Sequence, residues 1–522
     1  MATSAITRTA CGLLLVIVSF PWQNLTANVE GAHATTEPNI ILILADDMGY
    51  SDLGCYGGEI HTPNIDRLAA HGLRFSQAYN TSKCFPSRAS LLTGLYAQQC
   101  GFGETFKDPL RNAITLGEVL RESGYATYWS GKHHGVDNPM DRGFDAYYGL
   151  RDGACNHFNP GLRREGEPEP AKKPGRPPRI WRMDGETYAP YTPKDPNFYT
   201  TDAFTDKALD WLTQHSKADE RPFFLYLAYT APHDPLMAWP EDIAKYAGQY
   251  ASGYASIRDQ RLQRQMEIGL IAADELPSES THRIWNQLTE EEQVDEALRM
   301  EVYAAMVDRM DQNIGRIIEW LEKEDVLENT LILIASDNGS SAEVTNVNPS
   351  GTIGTIDRWA SLGKDWANVS NTPLRYFKND SFEGGIRTPL IAHWPNGIKE
   401  SAWVREAVHF IDIMSTFVDI TNYNYPQEWR GERLPQLPGN SLLPFFAEPS
   451  HECDRILYWE WGRGRAVRFA DWKWVQRGTQ VGLFDLSTDP YETVNRIDLS
   501  PALGEEMENL FVHWKQRVTD GN

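Results

Sequence analysis

Along this chain, short unbroken apolar runs alternate with longer segments in which apolar residues return every three or four positions. The runs Ile40–Leu44, Tyr125–Trp129, Phe223–Tyr229 and Leu331–Ile334 have the length of strands buried on both faces, as in a parallel sheet covered by helices. Each run passes into polar residues: Asp46-Asp47, Ser130-Gly131-Lys132-His133-His134, Thr230-Ala231-Pro232-His233, and Ser336-Asp337-Asn338-Gly339. Open α/β sheets bind ligands beyond the carboxyl ends of their strands. The recurrence of this layout therefore predicts a site along one edge of a sheet.

Helical patterns fill the gaps. Thr62-Pro63-Asn64-Ile65 reads as a capped helix start with proline in the first turn. Between Glu301 and Lys323, Val302, Met306, Met310, Ile314, Ile317 and Leu321 form the apolar stripe of a helix packed on the sheet. Past residue 450 the pattern changes. Ile456–Trp461, a Gly-Arg-Gly-Arg turn and Ala466–Val475 predict an aromatic-rich antiparallel hairpin, with Gly482–Leu486 as a further strand. Leu503, Met507, Leu510, Phe511, Trp514 and Val518 predict a closing helix. Its apolar spacing makes core packing the role of these aromatics rather than a sugar platform. The expected class is α/β: a large mixed, mostly parallel sheet sandwiched by helices, plus a small C-terminal antiparallel sheet with a helix. The expected divisions are a leader at 1–34, a main domain at 35–448 and an α+β subdomain at 449–522.

Two stretches break the alternation. Residues 152–195 are rich in Pro and Gly and carry Arg163, Arg164, Lys172, Lys173, Arg176, Arg179 and Arg182. Loops this long inside a compact enzyme either bind substrate or lack structure; these basic residues would attract an anion or simply be solvated. Residues 241–294 are charged and helical in pattern, without an assigned purpose.

Composition narrows the picture. A chain of 522 residues with 41% hydrophobic content exceeds one compact core, which favours a large domain with a smaller one. With 49 Lys+Arg against 72 Asp+Glu, the formal charge is −23, which argues against a nucleic-acid partner. Arg8, the apolar run Leu13–Phe20 and Ala32-His33-Ala34 form a secretory signal pattern, too short to span a bilayer. The expected location is secreted or periplasmic, with no stable membrane span. The cysteines at 11, 55, 84, 100, 155 and 453 show neither a disulfide framework nor a metal knuckle, so no pairing is predicted.

The strand ends carry specific chemistry. Adjacent Asp46 and Asp47 repel each other, by roughly 4 kcal/mol at ~4 Å and an effective dielectric of ~20. A bound cation reverses that sign. Asp337 and Asn338 offer further oxygen ligands, and an all-oxygen set suits a hard ion, Ca²⁺ or Mg²⁺, with Ca²⁺ the more tolerant of irregular geometry. The most specific string is Cys84-Phe85-Pro86-Ser87-Arg88-Ala89-Ser90-Leu91-Leu92-Thr93-Gly94, a C-x-P-S-R-x-x-L-x-T-G pattern.

That string, with the strand-end pairs around it, resembles the sulfatase family and in particular its arylsulfatase-like branch, from about Pro38 to the C-terminus. The resemblance implies an alkaline-phosphatase-like fold. It also implies hydrolysis of sulfate monoesters, of aryl alcohols or carbohydrates, to alcohol and inorganic sulfate. A maturation enzyme would oxidise Cys84 to formylglycine, whose hydrate offers one hydroxyl to attack sulfur and another to expel sulfate. Carried over residue by residue, one divalent ion, usually calcium, is held by Asp46, Asp47, Asp337, Asn338 and the modified Cys84. Arg88 holds the diol and Asp337 accepts its proton. Lys132 and His134 match a G-K-x-H element, and Pro232-His233-Asp234-Pro235 matches P-H-x-P. Lys378 stands five residues before Glu383-Gly384-Gly385-Ile386-Arg387 in a K-x-x-x-x-E-G-G element. Lys132 and Lys378 would neutralise the sulfuryl oxygens, His233 would protonate the leaving alcohol, and His134 would take the second diol proton. One position departs: His133 stands where the family has tryptophan, and it reads as a pocket wall or core residue. A phosphonate or phosphate ester hydrolase of the same superfamily is the nearest alternative, and a non-catalytic carbohydrate-binding homologue the next. Of the N-x-S/T matches at Asn24, Asn80, Asn338, Asn368 and Asn379, those at 338 and 379 fall in proposed site elements and read as coincidences of composition.

Overall fold

The computed structural model describes residues 37–520. The expected signal at 1–34, with Cys11 and Asn24, lies outside the described residues. The ten strands of the central sheet are β1 Asn39–Ala45, β2 Leu73–Tyr79, β3 Ala126–Gly131, β4 Ala146–Leu150, β5 Trp181–Met183, β6 Glu186–Tyr188, β7 Phe223–Ala228, β8 Thr330–Ser336, β9 Arg387–His393 and β10 Ala402–His409. They lie in the order β10-β2-β9-β8-β1-β7-β3-β4-β5-β6. Strands β8, β1, β7, β3 and β4 run parallel, while β9 runs against both β2 and β8. All four predicted runs therefore sit side by side in the parallel centre, their carboxyl ends on one edge.

Principal helices are α1 Pro63–Ala70, α2 Cys84–Thr93, α3 Thr200–Ala218, α4 Gly253–Glu267, α5 Glu290–Lys323, α6 Ile411–Ile420 and α7 Pro501–Asp520. Alternation along β1 divides the core between the two faces. Ile41 and Ile43 pack in one cluster with Phe204 and Leu212 of α3 and Met306, Met310 and Ile314 of α5. Ile40, Leu42 and Leu44 pack in the other with Leu91 and Leu92 of α2 and Met414 and Phe417 of α6. Helix α5 begins eleven residues earlier than its apolar stripe suggests, because Thr289 and Glu292 form a capping box. Helix α1 has its proline in the first turn, but Thr62 does not cap it. Instead Asp311 of α5 accepts the backbone N–H groups of Ile65 at 2.8 Å and Asn64 at 3.2 Å.

The C-terminal sheet comprises β11 Ile456–Trp461, β12 Gly464–Phe469, β13 Trp472–Arg477 and β14 Gln480–Asp485, paired antiparallel in sequence order. The run expected as one strand over Ala466–Val475 is thus two strands, broken where Ala470 adopts a left-handed φ of 49°. Trp474 and Leu483 pack on Met507, Phe511 and Trp514 of α7, and Trp459 and Phe484 pack on Tyr79 and Phe382 of the main body. Both faces are covered, so these aromatics are core. Among the described residues no disulfide forms, and no helix is long and apolar enough to cross a membrane.

Candidate active site

Cys84 is the first residue of α2 and is buried. Its Sγ lies 3.7 Å from Asp47 Oδ1. One helical turn on, Arg88 turns its guanidinium to Asp337, Nε donating to Oδ2 at 2.8 Å, and stands 3.7 Å from Asp46 Oδ1. Lys132 follows β3 and pairs with Asp46 Oδ2. Lys378 Nζ reaches Asp47 Oδ2 at 2.7 Å, its loop fixed by the Lys378 N–H donating to the Ser340 carbonyl at 3.1 Å. His233 Nε2 stands 3.5 Å from the same carboxylate oxygen. Its Nδ1 lies 2.7 Å from the Asp234 carbonyl and 2.8 Å from Asp234 Oδ1, which fixes the proton on Nδ1.

Local backbone makes this convergence feasible. At the end of β3, Gly131 has φ 121°, and a Cβ there would lie 1.9 Å from the Ala228 carbonyl oxygen. Only glycine lets the strand end that close to β7 while Lys132 turns inward. Asp47 is also left-handed, at φ 66°, which separates its carboxylate direction from that of Asp46.

Charge sets the protonation states. Burial alone would raise the Asp46 carboxyl, but Lys132, His233 and Arg88 outweigh it and hold Asp46 well below the usual range. Burial likewise opposes ionisation of Asp47, and Lys378 with His233 holds it down. Asp337 differs: burial and the nearby Asp46 push it up to about 6. Burial would lower His233, yet Asp47 and Asp46 raise it. The unmodified Cys84 thiol is pushed up to about 12 by burial.

Ligand atoms of Asp46, Asp47, Cys84 and His233 all lie within 4.8 Å of one another. Asn338 adjoins them, its Nδ2 donating to Asp47 Oδ1 at 2.7 Å. Asp46 Oδ1 and Asn338 Oδ1 are buried without a hydrogen-bond partner. Buried oxygens left unsatisfied are costly, and a hard cation satisfies both. Asp337 stands behind this group, accepting the Asp47 N–H at 3.2 Å and the Arg88 bond. The donor set fits a divalent, oxygen-seeking ion.

The two adjacent histidines part company. His133 packs edge-on against Trp129, ring centroids 5.0 Å apart, as a core residue that burial pushes down to about 3. His134 packs against Phe85 and Phe106, beside the signature helix, with its Nδ1 free of hydrogen bonds. Burial, Lys132 and Arg88 hold it well below its ordinary value.

Several partners had no signal in the sequence. Asp234 Oδ2 accepts from Trp359 Nε1 at 2.8 Å and Ser361 Oγ at 2.6 Å, so the variable position of P-H-x-P anchors His233. Arg261 of α4, in the charged 241–294 stretch, is fully buried and pairs with Asp52 and Glu59 at 2.7 Å each. Asp52 in turn holds Gly49 N–H and the Tyr303 hydroxyl, both at 2.7 Å, bracing the Asp46-Asp47 turn from behind. Three of the seven basic residues of the loop meet acids: Arg164 pairs with Glu167, Lys172 with Glu169, and Lys173 with Glu343 and Asp234. Of the N-x-S/T matches, Asn80, Asn338 and Asn368 are buried and Asn379 is exposed.

A family model for sulfatases matches residues 38–423, and one described as the C-terminal part of N-sulphoglucosamine sulphohydrolase matches 375–519. An uncharacterized sulfatase of Schizosaccharomyces pombe is 33% identical over 92% of this chain and 93% of its own length. An arylsulfatase of Klebsiella aerogenes is 36% identical over 70% of this chain and 83% of its own. The crystal structure of Ps i-CgsB in complex with k-i-k-neocarrahexaose superposes with a TM-score of 0.68 at 27% identity, covering 92% of this chain and 93% of that one. The chain belongs to the sulfatase family and is a sulfuric ester hydrolase.

Proposed function

We propose that the protein hydrolyses sulfate monoesters of carbohydrates, with aryl sulfates as simpler surrogates, once a maturation enzyme has oxidised Cys84 to formylglycine. The observation that carries this reading is the convergence of Arg88, Lys132, Lys378 and His233 on the carboxylates around residue 84. Three carboxylates there are matched by three permanent cations. A divalent ion therefore leaves the cradle net positive, ready for an anionic ester inside an acidic protein.

The ion, calcium in this reading, would be held by Asp46, Asp47, Asp337, Asn338 and residue 84, and it supplies Lewis-acid polarisation of sulfuryl oxygens. The aldehyde hydrate supplies one hydroxyl for attack and a second whose deprotonation releases sulfate. The side chains do the rest. Lys132 and Lys378 stabilise charge on the sulfuryl oxygens from fixed, water-poor positions. Asp337, held near 6, accepts a proton at Oδ2 while Arg88 orients that oxygen. Asp47 and Asp46 raise His233, and its Nε2 donates a proton to the departing oxygen. His134, kept neutral by burial and neighbouring cations, accepts a proton through its unoccupied Nδ1. The expected signal at 1–34 would deliver the chain to a secreted or periplasmic site.

The test pairs two measurements on protein co-produced with a maturation enzyme. Mass spectrometry of the peptide spanning residue 84 reads the conversion of thiol to aldehyde. Turnover of matched 4-nitrophenyl sulfate, phosphate and phenylphosphonate esters reads the chemistry, with sulfate preferred. An aldehyde at 84 together with preference for the phosphonate would move the reading to the phosphonate hydrolase alternative. No aldehyde and no turnover would favour the non-catalytic one.

A further inference from the structure

Where the C-terminal helix meets the main body, a cleft of about 210 Å³ has Gln99, Arg111, Arg433, Arg517 and Val518 in its wall. These residues come from three stretches of chain: segment 94–112 after α2, the short hairpin Glu428–Trp429/Glu432–Arg433, and the last turns of α7. Among the described residues no acid lines the cleft, and Arg111, Arg433 and Arg517 make no ion pair. Glu432 stands at the margin, accepting the Asn112 N–H at 2.6 Å. Three guanidinium groups against that one carboxylate still leave an excess of positive charge, in a chain of formal charge −23.

A single exposed arginine needs no partner but water. Three that converge from separate segments repel one another, and an anion reverses that sign. The cleft is shaped for the convergence. Gly101 has φ 85°, and a Cβ there would come within 3.0 Å of Arg111 Nε, so glycine both makes the turn and leaves room for the guanidinium. Arg517 sits by the Tyr458 hydroxyl. Gln99 Oε1 accepts the Tyr96 N–H at 3.0 Å, which leaves the amide nitrogen as a further donor.

The donors and the volume select the ligand. A guanidinium fork presents two N–H groups to two oxygens of one oxyanion, which suits sulfate or phosphate. Drug-sized ligands take about 300 Å³ or more, so this smaller space suits a free ion with its water.

We propose that the cleft binds a free tetrahedral dianion, sulfate or phosphate, which clasps α7 and the hairpin to the segment after α2. Leu95, Ala97, Cys100 and Phe102 of that segment pack in one cluster with Phe85, the residue after Cys84, so the clasp steadies the packing of the signature helix. The cleft shares no residue with the group around Asp46, Asp47, Cys84 and His233, and the inference stands apart from the sulfate-ester reading.

Melting of the full-length, calcium-free protein would be followed in sodium sulfate and in sodium phosphate, up to about 20 mM, with NaCl holding ionic strength constant. Wild-type protein should show a saturable rise of about 2 °C or more with at least one of the two ions. Arg433→Gln and Arg517→Gln should each raise the half-saturating concentration several-fold, and Arg111→Gln/Arg433→Gln should remove the difference from background. All three side chains are exposed, so these substitutions leave the core intact. Sulfate held in the active-site cradle raises every one of these proteins alike, and exclusion of the salt from the surface adds a slope that does not saturate. The contrast between wild type and variants therefore isolates the cleft. Superimposable curves for wild type and the double variant overturn the proposal. So does a contrast that appears with a heparin hexasaccharide and with neither inorganic ion, which would assign the arginines to a polymer.

Discussion

Lys473 Nζ lies 2.7 Å from Glu383 Oε1, and both side chains are fully buried. The lysine belongs to β13 of the C-terminal sheet, and the glutamate opens the Glu-Gly-Gly turn five residues after Lys378. Glu492 completes the cluster, 2.8 Å from the same ammonium, and accepts the Glu383 N–H at 2.8 Å. The C-terminal sheet therefore locks the segment that delivers Lys378 to Asp47. Lys473→Met would leave buried Glu492 without a cation and Glu383 with only Arg387 at 3.4 Å and the Tyr79 hydroxyl at 2.8 Å, a loss of about 3–5 kcal/mol for a broken buried pair. A drop in the denaturant midpoint, with partial recovery in Lys473→Met/Glu492→Gln, is the expected outcome. Equal stability of the single variant and wild type would show that the cluster is dispensable.

The same cluster gives a pH dependence. Glu383 and Glu492 compete for one lysine, so they titrate as a unit. Burial and the charge of Glu383 push Glu492 up to about 7, from an ordinary value of 4.5. The folded state therefore holds a proton that the unfolded state has released. Its contribution is present below 4.5 and is lost as pH rises toward 7. Relative to Glu492→Gln, the wild-type protein should lose stability across that window. Chemical denaturation of both proteins at pH 5 and 7.5 checks the sign.

Thiol reactivity separates the cysteines. Burial pushes Cys84 and Cys155 up to about 12 and Cys100 up to about 11, and Cys55 well above its ordinary value. Only Cys453 among the described cysteines is partly exposed. Thiolate is the reactive form, so native, unmatured protein treated with iodoacetamide near neutral pH should carry label at Cys453 alone of these five. Label at Cys84 before unfolding would mean that the cradle is open or that the thiol is ionised.

How far the sequence revealed all this depends on the range of each interaction. The four central strands were legible because strands buried on both faces must be continuously apolar, and their polar termini marked the site edge. Resemblance then grouped Lys378 with Asp47, residues far apart in the chain. The break at Ala470 was hidden because a left-handed alanine has no compositional signature. Arg261 was equally hidden: a buried arginine in a charged stretch looks like any solvated one until Asp52 and Glu59 are placed beside it. The basic loop was only half legible, since local composition shows its arginines and lysines but not that Arg164, Lys172 and Lys173 meet acids.

Arg261 yields a prediction that tests the stretch it comes from. Arg261→Leu leaves Asp52 and Glu59 buried without their partner and should cost about 3–5 kcal/mol of stability. Because Asp52 holds Gly49 and Tyr303 behind the Asp46-Asp47 turn, the variant should also bind Ca²⁺ less tightly. Wild-type protein should show a rise in melting temperature with Ca²⁺ that EDTA reverses, since a ligand at about 100 times its Kd adds ~2.7 kcal/mol. In Arg261→Leu that rise should shrink, and in Asp47→Asn it should vanish. An unchanged calcium shift in Arg261→Leu would restrict Arg261 to a packing role.

The proposed role of His233 makes a prediction that depends on the leaving group. If Nε2 donates its proton to the departing oxygen, removing it matters most where that oxygen is basic. A sugar or alkyl sulfate leaves a strongly basic alkoxide, whereas 4-nitrophenolate leaves with little help. His233→Ala in matured protein should therefore lower kcat for an alkyl or sugar sulfate by about 10²–10⁴-fold, the usual contribution of a positioned acid. The loss for 4-nitrophenyl sulfate should be much smaller. Asp234→Asn, which removes the charge from the carboxylate beside Nδ1 while leaving hydrogen-bonding groups there, should show the same dependence in weaker form. A His233→Ala loss of the same size for both ester types would instead place the imidazole among the groups that bind the sulfuryl oxygens. In that case Asp47, 3.5 Å from Nε2, would be the residue it serves.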